Sequence, residues 1–136
     1  MRPALISAFV LLASVVAAAA GGGHDKIAAV DDRGVLLAIA QAPAKTRAWK
    51  NPYEGQPDAI AAGAKLYRQH CAECHGEDGR GRGHAADLRS AKVRNATPGE
   101  LAWLLRNGNL AHGMPPWAGI PEQRRWQIVA YLKSLH

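Results

Sequence analysis

An all-α domain with three main helices and long irregular loops is the fold this sequence predicts, and three observations carry the prediction. Apolar residues recur at helical spacing in three stretches of the second half, each opened by a proline suited to a helix start. A glycine-rich stretch, Gly76, Gly79, Gly81 and Gly83, forbids regular structure between the first and second of them. Large core side chains are scarce: of 136 residues 48% are apolar, but 27 are alanine and the only phenylalanine is Phe9. The length allows one domain, with or without an appended arm, and excludes a two-domain enzyme with a large buried cleft. A core this poor in bulk needs a staple. Only two cysteines, Cys71 and Cys74, are present, so a disulfide framework is excluded and the staple is a single bridge, a metal or a cofactor.

Residues 1–20 carry Arg2, an apolar run from Ala4 to Val16 and a small-residue end, Ala17 to Ala20, before Gly21-Gly22-Gly23. This is the layout of a secretory signal peptide. The run approaches the roughly 20 residues that span a bilayer, which makes an uncleaved anchor the rival reading, but the alanines and glycines favour cleavage near Ala18 to Ala20. Either outcome places the folded part outside the cytoplasm, in a bacterial cell in the periplasm; a cleaved signal leaves no stable membrane insertion. Residues 21–56 read as an N-terminal arm or linker. Its apolar runs, Ile27 to Val30 and Val35 to Ala40, suit a hairpin or a short helix alike, and Ala42-Pro43 and Asn51-Pro52 follow them.

Residues 57–136 form the main domain. Pro57 opens the first helix, whose Ile60, Ala64, Tyr67 and Cys71 share one face, and the helix ends as it reaches Cys71. Thr97-Pro98-Gly99-Glu100 is a capping box, Leu101, Leu104 and Leu105 follow, and Asn107-Gly108 stops the second helix. Pro121 opens the last, with an apolar face of Trp126, Ile128, Val129, Leu132 and Leu135. The formal net charge is +6, and the excess is local: Arg80, Arg82, Arg89, Lys92 and Arg94 stand between Gly79 and Asn95 against Asp87 alone. A basic loop suits nucleic acid, a membrane surface, an anionic cofactor or an acidic partner. Export and the lack of interleaved aromatics argue against nucleic acid.

Cys71-Ala72-Glu73-Cys74-His75 fits C-x-x-C-H, the c-type haem attachment sequence. Two thiols three residues apart at a helix end reach the two vinyl groups on one edge of a haem, and the next residue then meets the iron with its imidazole. A redox-active C-x-x-C needs a βαβ setting, and no strands surround Cys71. A zinc site needs two more ligands at suitable spacing, and a disulfide across three residues removes little unfolded-state entropy. For the sixth position the sequence offers Met114, in Gly113-Met114-Pro115-Pro116, where two prolines hold the sulfur in place. A thioether is a soft neutral donor that favours ferrous iron and raises the reduction potential. His112 and His84 are rival ligands; His24, His70 and His136 are weaker ones.

On these residues the sequence resembles the small, single-haem class I c-type cytochromes. The resemblance covers about Asn51 to His136 and rests on Gly63, Tyr67, Cys71-x-x-Cys74-His75-Gly76, Met114-Pro115, Trp126 and Tyr131-Leu132 in that order. It implies a cytochrome c-like fold around one covalently bound haem c, with Cys71 and Cys74 as thioethers and His75 and Met114 on the iron. It also implies that the first and last helices cross with Gly63 against Tyr131. The chain departs from the pattern after the haem motif. Many members carry a proline whose carbonyl accepts a hydrogen bond from the ligand histidine, but no proline occurs between His75 and Pro98; the carbonyl of Gly83 or His84 is the expected substitute. An arginine among Arg80, Arg82, Arg89 and Arg94, or the Trp117 indole, is expected at the propionates.

The function these readings imply is periplasmic electron transfer, one haem cycling between Fe(II) and Fe(III), rather than enzymatic catalysis. Expected partners are redox proteins: a donor dehydrogenase or quinol oxidase complex and an acceptor oxidase. The alternatives are a cytochrome c subunit of a larger dehydrogenase or oxidase complex, docked through residues 21–56, and a haem enzyme or gas sensor with an open distal site. The haem also completes the core, with Tyr67, the Leu101 to Leu105 helix, Trp117 and Trp126 expected around it.

Overall fold

A computed structural model describes residues 34–135, and the expected signal peptide lies outside them. Helix α1 covers residues 34–40 and a 3-10 turn follows at Ala44–Ala48. The further helices are α2 (Pro57–His70), α3 (Ala72–His75), α4 (Ala91–Asn95), α5 (Pro98–Asn107) and α6 (Glu122–Lys133), with a second 3-10 turn at Leu110–His112. Among the described residues there is no strand, only an isolated antiparallel bridge between Asn109 and Met114.

The core forms where α2 crosses α6. Gly63 makes the crossing: a Cβ there would lie 2.0 Å from the Gln127 carbonyl oxygen and 3.0 Å from Tyr131 Cβ. Only glycine lets two helix backbones approach so closely. The Tyr67 and Tyr131 rings meet at 5.2 Å, tilted by 53°, a favourable aromatic geometry. The fully buried residues of α2 are Ala59, Gly63 and Tyr67, one residue earlier than the expected Ile60 and Ala64, which lie half-buried beside them. Hydrophobicity points to Ile60, but at so close a crossing the smallest side chains take the centre. On α6 the buried residues are Arg125, Ile128, Val129, Ala130 and Leu132, while Trp126 is half-buried.

Helix α5 has the expected bounds because its start is fixed locally. Thr97 Oγ1 accepts from the Glu100 N–H at 3.2 Å and the Thr97 N–H donates to Glu100 Oε2 at 2.8 Å, a complete capping box. Residues of the expected arm pack onto this end. Thr46 is fully buried, and a Cβ on Gly99 would lie 1.8 Å from its carbonyl oxygen. Arg47 Nε donates to Glu100 Oε1 at 2.8 Å, and Asn51 Nδ2 donates to the Trp126 carbonyl at 2.9 Å. Helix α4 is an element the glycine-loop reading lacks. Its C-terminal carbonyls are held by Lys133, which donates to Arg94 O and, at 3.0 Å, to Ala96 O.

Burial alone would push the Glu100 carboxyl up, but hydrogen bonds from Thr97 and Arg47 outweigh it and hold it below its ordinary value of 4.5. A folded pKa below the unfolded one stabilises the fold above the unfolded value, and that contribution is lost as pH falls through the folded pKa. The stability gap between wild type and Glu100→Gln is therefore constant near neutrality and closes below pH 4.5. Urea titrations across that range check this; a gap independent of pH contradicts it.

Candidate cofactor site

The chain around Cys71 changes direction for local reasons. Helix α2 ends at His70, Cys71 leaves helical geometry at φ −122°, and α3 makes a single turn before Gly76 turns the chain at φ +78°. Within that turn the N–H groups of Cys74 and His75 donate to the Cys71 carbonyl at 3.2 and 2.9 Å. Positions i, i+3 and i+4 of one turn share a face, so both thiols and the imidazole are directed to one side. The glycine loop then folds back under the histidine. Gly81 N–H donates to His75 O at 2.8 Å, and a Cβ on Gly81, at φ +83°, would lie 2.3 Å from the Ala85 carbonyl oxygen.

Two hydrogen bonds lock this corner. The buried Tyr67 hydroxyl donates to Gly76 O at 2.6 Å, and burial pushes its phenol upward, which keeps the proton in place. His75 Nδ1 lies 2.9 Å from Ala86 O. A carbonyl only accepts, so Nδ1 carries the proton and Nε2 keeps its lone pair for a ligand. The carbonyl that orients His75 is thus that of Ala86, not of Gly83 or His84. Loop closure through successive glycines selects it, and no local pattern announces it.

Met114 is placed by backbone pairing as well as by its prolines. The Asn109 N–H donates to Met114 O at 2.8 Å and the Met114 N–H donates to Asn109 O at 3.1 Å. Gly108 lies directly beneath: at φ +69° it takes a conformation few other residues adopt, and a Cβ there would lie 2.6 Å from Pro115 C and Pro116 N. Further along, the Trp117 N–H donates to Leu105 O at 2.8 Å.

These elements line one cavity of about 980 Å³ that is open to solvent on one side. Cys71, Cys74, His75 and Met114 all line it; Leu101, Leu104 and Leu105 of α5 form an apolar wall, and Trp117, Leu88, Val93 and Leu132 add to it. Val35, Ala38 and Ile39 of α1 close another side, although the sequence reading placed them in an arm. Their i, i+3, i+4 spacing was the available signal. Tyr67 and Trp126, expected around the cofactor, do not line the cavity; they serve the α2–α6 core and the outer surface. Of the rival ligands, His70, His84 and His112 also line it, the latter two exposed, with His112 Nδ1 3.1 Å from Asn109 Oδ1. Arg82 alone among the loop arginines reaches the lining, while Arg80 pairs with Asp78 at 3.2 Å.

Burial, and then the neighbouring Cys74, push the Cys71 thiol up to about 11. Redox-active C-x-x-C pairs work by a depressed thiol pKa, so this site is not poised for thiol–disulfide exchange. Among the described residues no group of three or more His, Cys, Asp and Glu side chains gathers at one point, which leaves a zinc reading without ligands. A haem does fit. The volume stands at the upper end of the roughly 300–1,000 Å³ range of ligand pockets, the walls are mostly apolar, and His75 and Met114 both line it.

A helical fold with no strand among the described residues, built around one such cavity with C-x-x-C-H and a methionine on its walls, defines a class I c-type cytochrome. A family model described as "Cytochrome C oxidase, cbb3-type, subunit III" matches residues 58–132. The chain is 32% identical over 112 residues to cytochrome c550 of Pseudomonas aeruginosa, covering 79% of this chain and 77% of that protein. It is 33% identical over 108 residues, 78% of this chain, to the quinohemoprotein alcohol dehydrogenase ADH IIB of Pseudomonas putida, of which it spans 15%. Among solved structures, cytochrome CL of the marine methylotroph Methylophaga aminisulfidivorans has the same fold, with a TM-score of 0.54, 24% identity, and coverage of 61% of this chain and 57% of that one. The chain belongs to the c-type cytochrome family, and its function is that of a haem-containing electron carrier.

Proposed function

We propose that the chain holds a single haem c, bonded to Cys71 and Cys74 through thioethers and ligated by His75 Nε2 and Met114 Sδ, and that it carries electrons in the periplasm without catalysing a reaction of its own. The observation that carries this reading is the single cavity lined at once by C-x-x-C-H and by a methionine fixed in a backbone bridge. When bound, the haem supplies a one-electron couple. The protein's part is to keep its surroundings unchanged between the two states: Ala86 O holds the His75 ring, and Asn109 and Gly108 hold Met114. The α5 wall, α1 and Trp117 would shield the bound group from water.

Export rests on the charged start, apolar run and alanine end of residues 1–20; no described helix is long and apolar enough to cross a membrane. The partners are redox proteins met in brief encounters over small interfaces steered by charge: a dehydrogenase or quinol oxidase complex as donor, an oxidase as acceptor. A second reading, a cytochrome subunit of a larger dehydrogenase, is favoured by the likeness to part of a quinohemoprotein alcohol dehydrogenase.

A redox titration of the holoprotein combined with imidazole-binding spectra tests the reading. The expected outcome is one one-electron wave and ferric spectra that resist imidazole. Rapid, saturating imidazole binding to wild type points instead to an open-site haem enzyme or gas sensor.

A further inference from the structure

We propose that Arg125 is a positioning residue for Met114, acting through the loop between Met114 and α6; the inference rests on Met114 being the sixth ligand. Arg125 stands in the first turn of α6 and is 9% exposed; with Glu100 it is one of two buried charged side chains among the described residues. Its Nη1 donates to Ala118 O at 3.2 Å and to Ile120 O. Among the described residues no carboxylate pairs with it. A buried cation without a counter-ion is unfavourable unless its hydrogen bonds are well made, and both of these go to the one loop.

That loop has three attachments. The Asn109 bridge holds its start at Met114, the Trp117 N–H on Leu105 O holds its middle, and the Ile120 N–H on Trp117 O closes a turn that Arg125 grips from outside. Between the first two attachments stand Pro115 and Pro116, whose fixed φ angles limit how far the segment can flex. The position of Ala118 to Ile120 is thereby coupled to Trp117, which lines the cavity, and through the two prolines to Met114. Arg125 itself does not line the cavity, so whatever it does to the iron ligand it does through this loop.

The test compares wild type, Arg125→Met and Arg125→Lys as ferric holoproteins. Three signals are read: the methionine-to-ferric-iron charge-transfer band, the association rate of imidazole, and the unfolding midpoint in denaturant. Arg125→Met is expected to weaken the band and to bind imidazole about tenfold faster under conditions where the protein is fully folded, the factor that losing a charged hydrogen bond implies. Arg125→Lys, which keeps a charged donor, is expected to recover most of both signals. A lower midpoint for Arg125→Met with band and rate at wild-type values shows a purely structural role and overturns the proposal. Should Arg125→Met fail to fold, Arg125→Gln, which keeps an uncharged N–H donor, is read by the same signals with the same expectation and the same contradiction. Wild type lacking the band overturns the Met114 ligation and this proposal together; wild type showing the band with unaffected variants overturns this proposal alone.

Discussion

Replacing both Cys71 and Cys74 by alanine leaves a chain that does not retain haem through purification and is largely unfolded at room temperature. The size of the cavity sets the size of the effect. Without its cofactor the chain leaves a cavity of about 980 Å³ whose apolar lining faces water, in a domain whose whole stability is on the order of 5–15 kcal/mol. The apolar walls left facing an empty cavity are Leu101, Leu105, Val93 and Leu132, while the α2–α6 contact, with Tyr67, Ile128 and Val129 buried, forms the rest of the core. Circular dichroism of the double variant is expected to show most of the helical signal lost. A native helical spectrum and a cooperative melt would mean that the protein core stands without its cofactor.

Met114→Ala is expected to abolish the methionine-to-ferric-iron charge-transfer band, to lower the reduction potential, and to admit imidazole to the ferric protein. The fold survives, because the loop keeps its Asn109 pairing through backbone atoms and its Trp117 bond to Leu105. A thioether stabilises ferrous over ferric iron, so replacing it by water or an imidazole moves the potential down. His112 is the side chain best placed to compete, since it lines the same cavity two residues away; its ring now faces Asn109 Oδ1 and is exposed. Persistence of both the band and the resistance to imidazole would remove Met114 from the iron.

The parts of this structure that were legible in the sequence are those fixed over a few residues. The bounds of α5 follow from Thr97 and Glu100 satisfying each other's backbone donors, and the glycines after His75 announce the loop because several of them sit at positive φ. The residues that line the cavity together, Cys71, Cys74, His75 and Met114, stand out in the sequence for the same reason: C-x-x-C-H is a contiguous pattern, and Met114 is marked by its prolines. Gly63 against Tyr131 came from the family resemblance, and the crossing is as expected.

What was not legible depends on distant pieces of chain. Val35, Ala38 and Ile39 line the cavity, and the turn that follows them is anchored on α5, some fifty residues away, by Thr46 and Arg47. The carbonyl that orients His75 is chosen by how the glycine loop closes, and Ala86 carries no mark of that role. Nothing in the sequence singles out Arg125; its burial goes with its hydrogen bonds to the loop before α6.

The most direct measurement is a pyridine haemochrome spectrum of wild-type protein, produced in a host competent in cytochrome maturation and separated from free haem in denaturant. Covalent attachment through Cys71 and Cys74 predicts one haem per chain that stays with the unfolded polypeptide and gives the spectrum of a haem with both vinyl groups saturated. Haem that leaves the chain in denaturant, or a spectrum with intact vinyl groups, contradicts it.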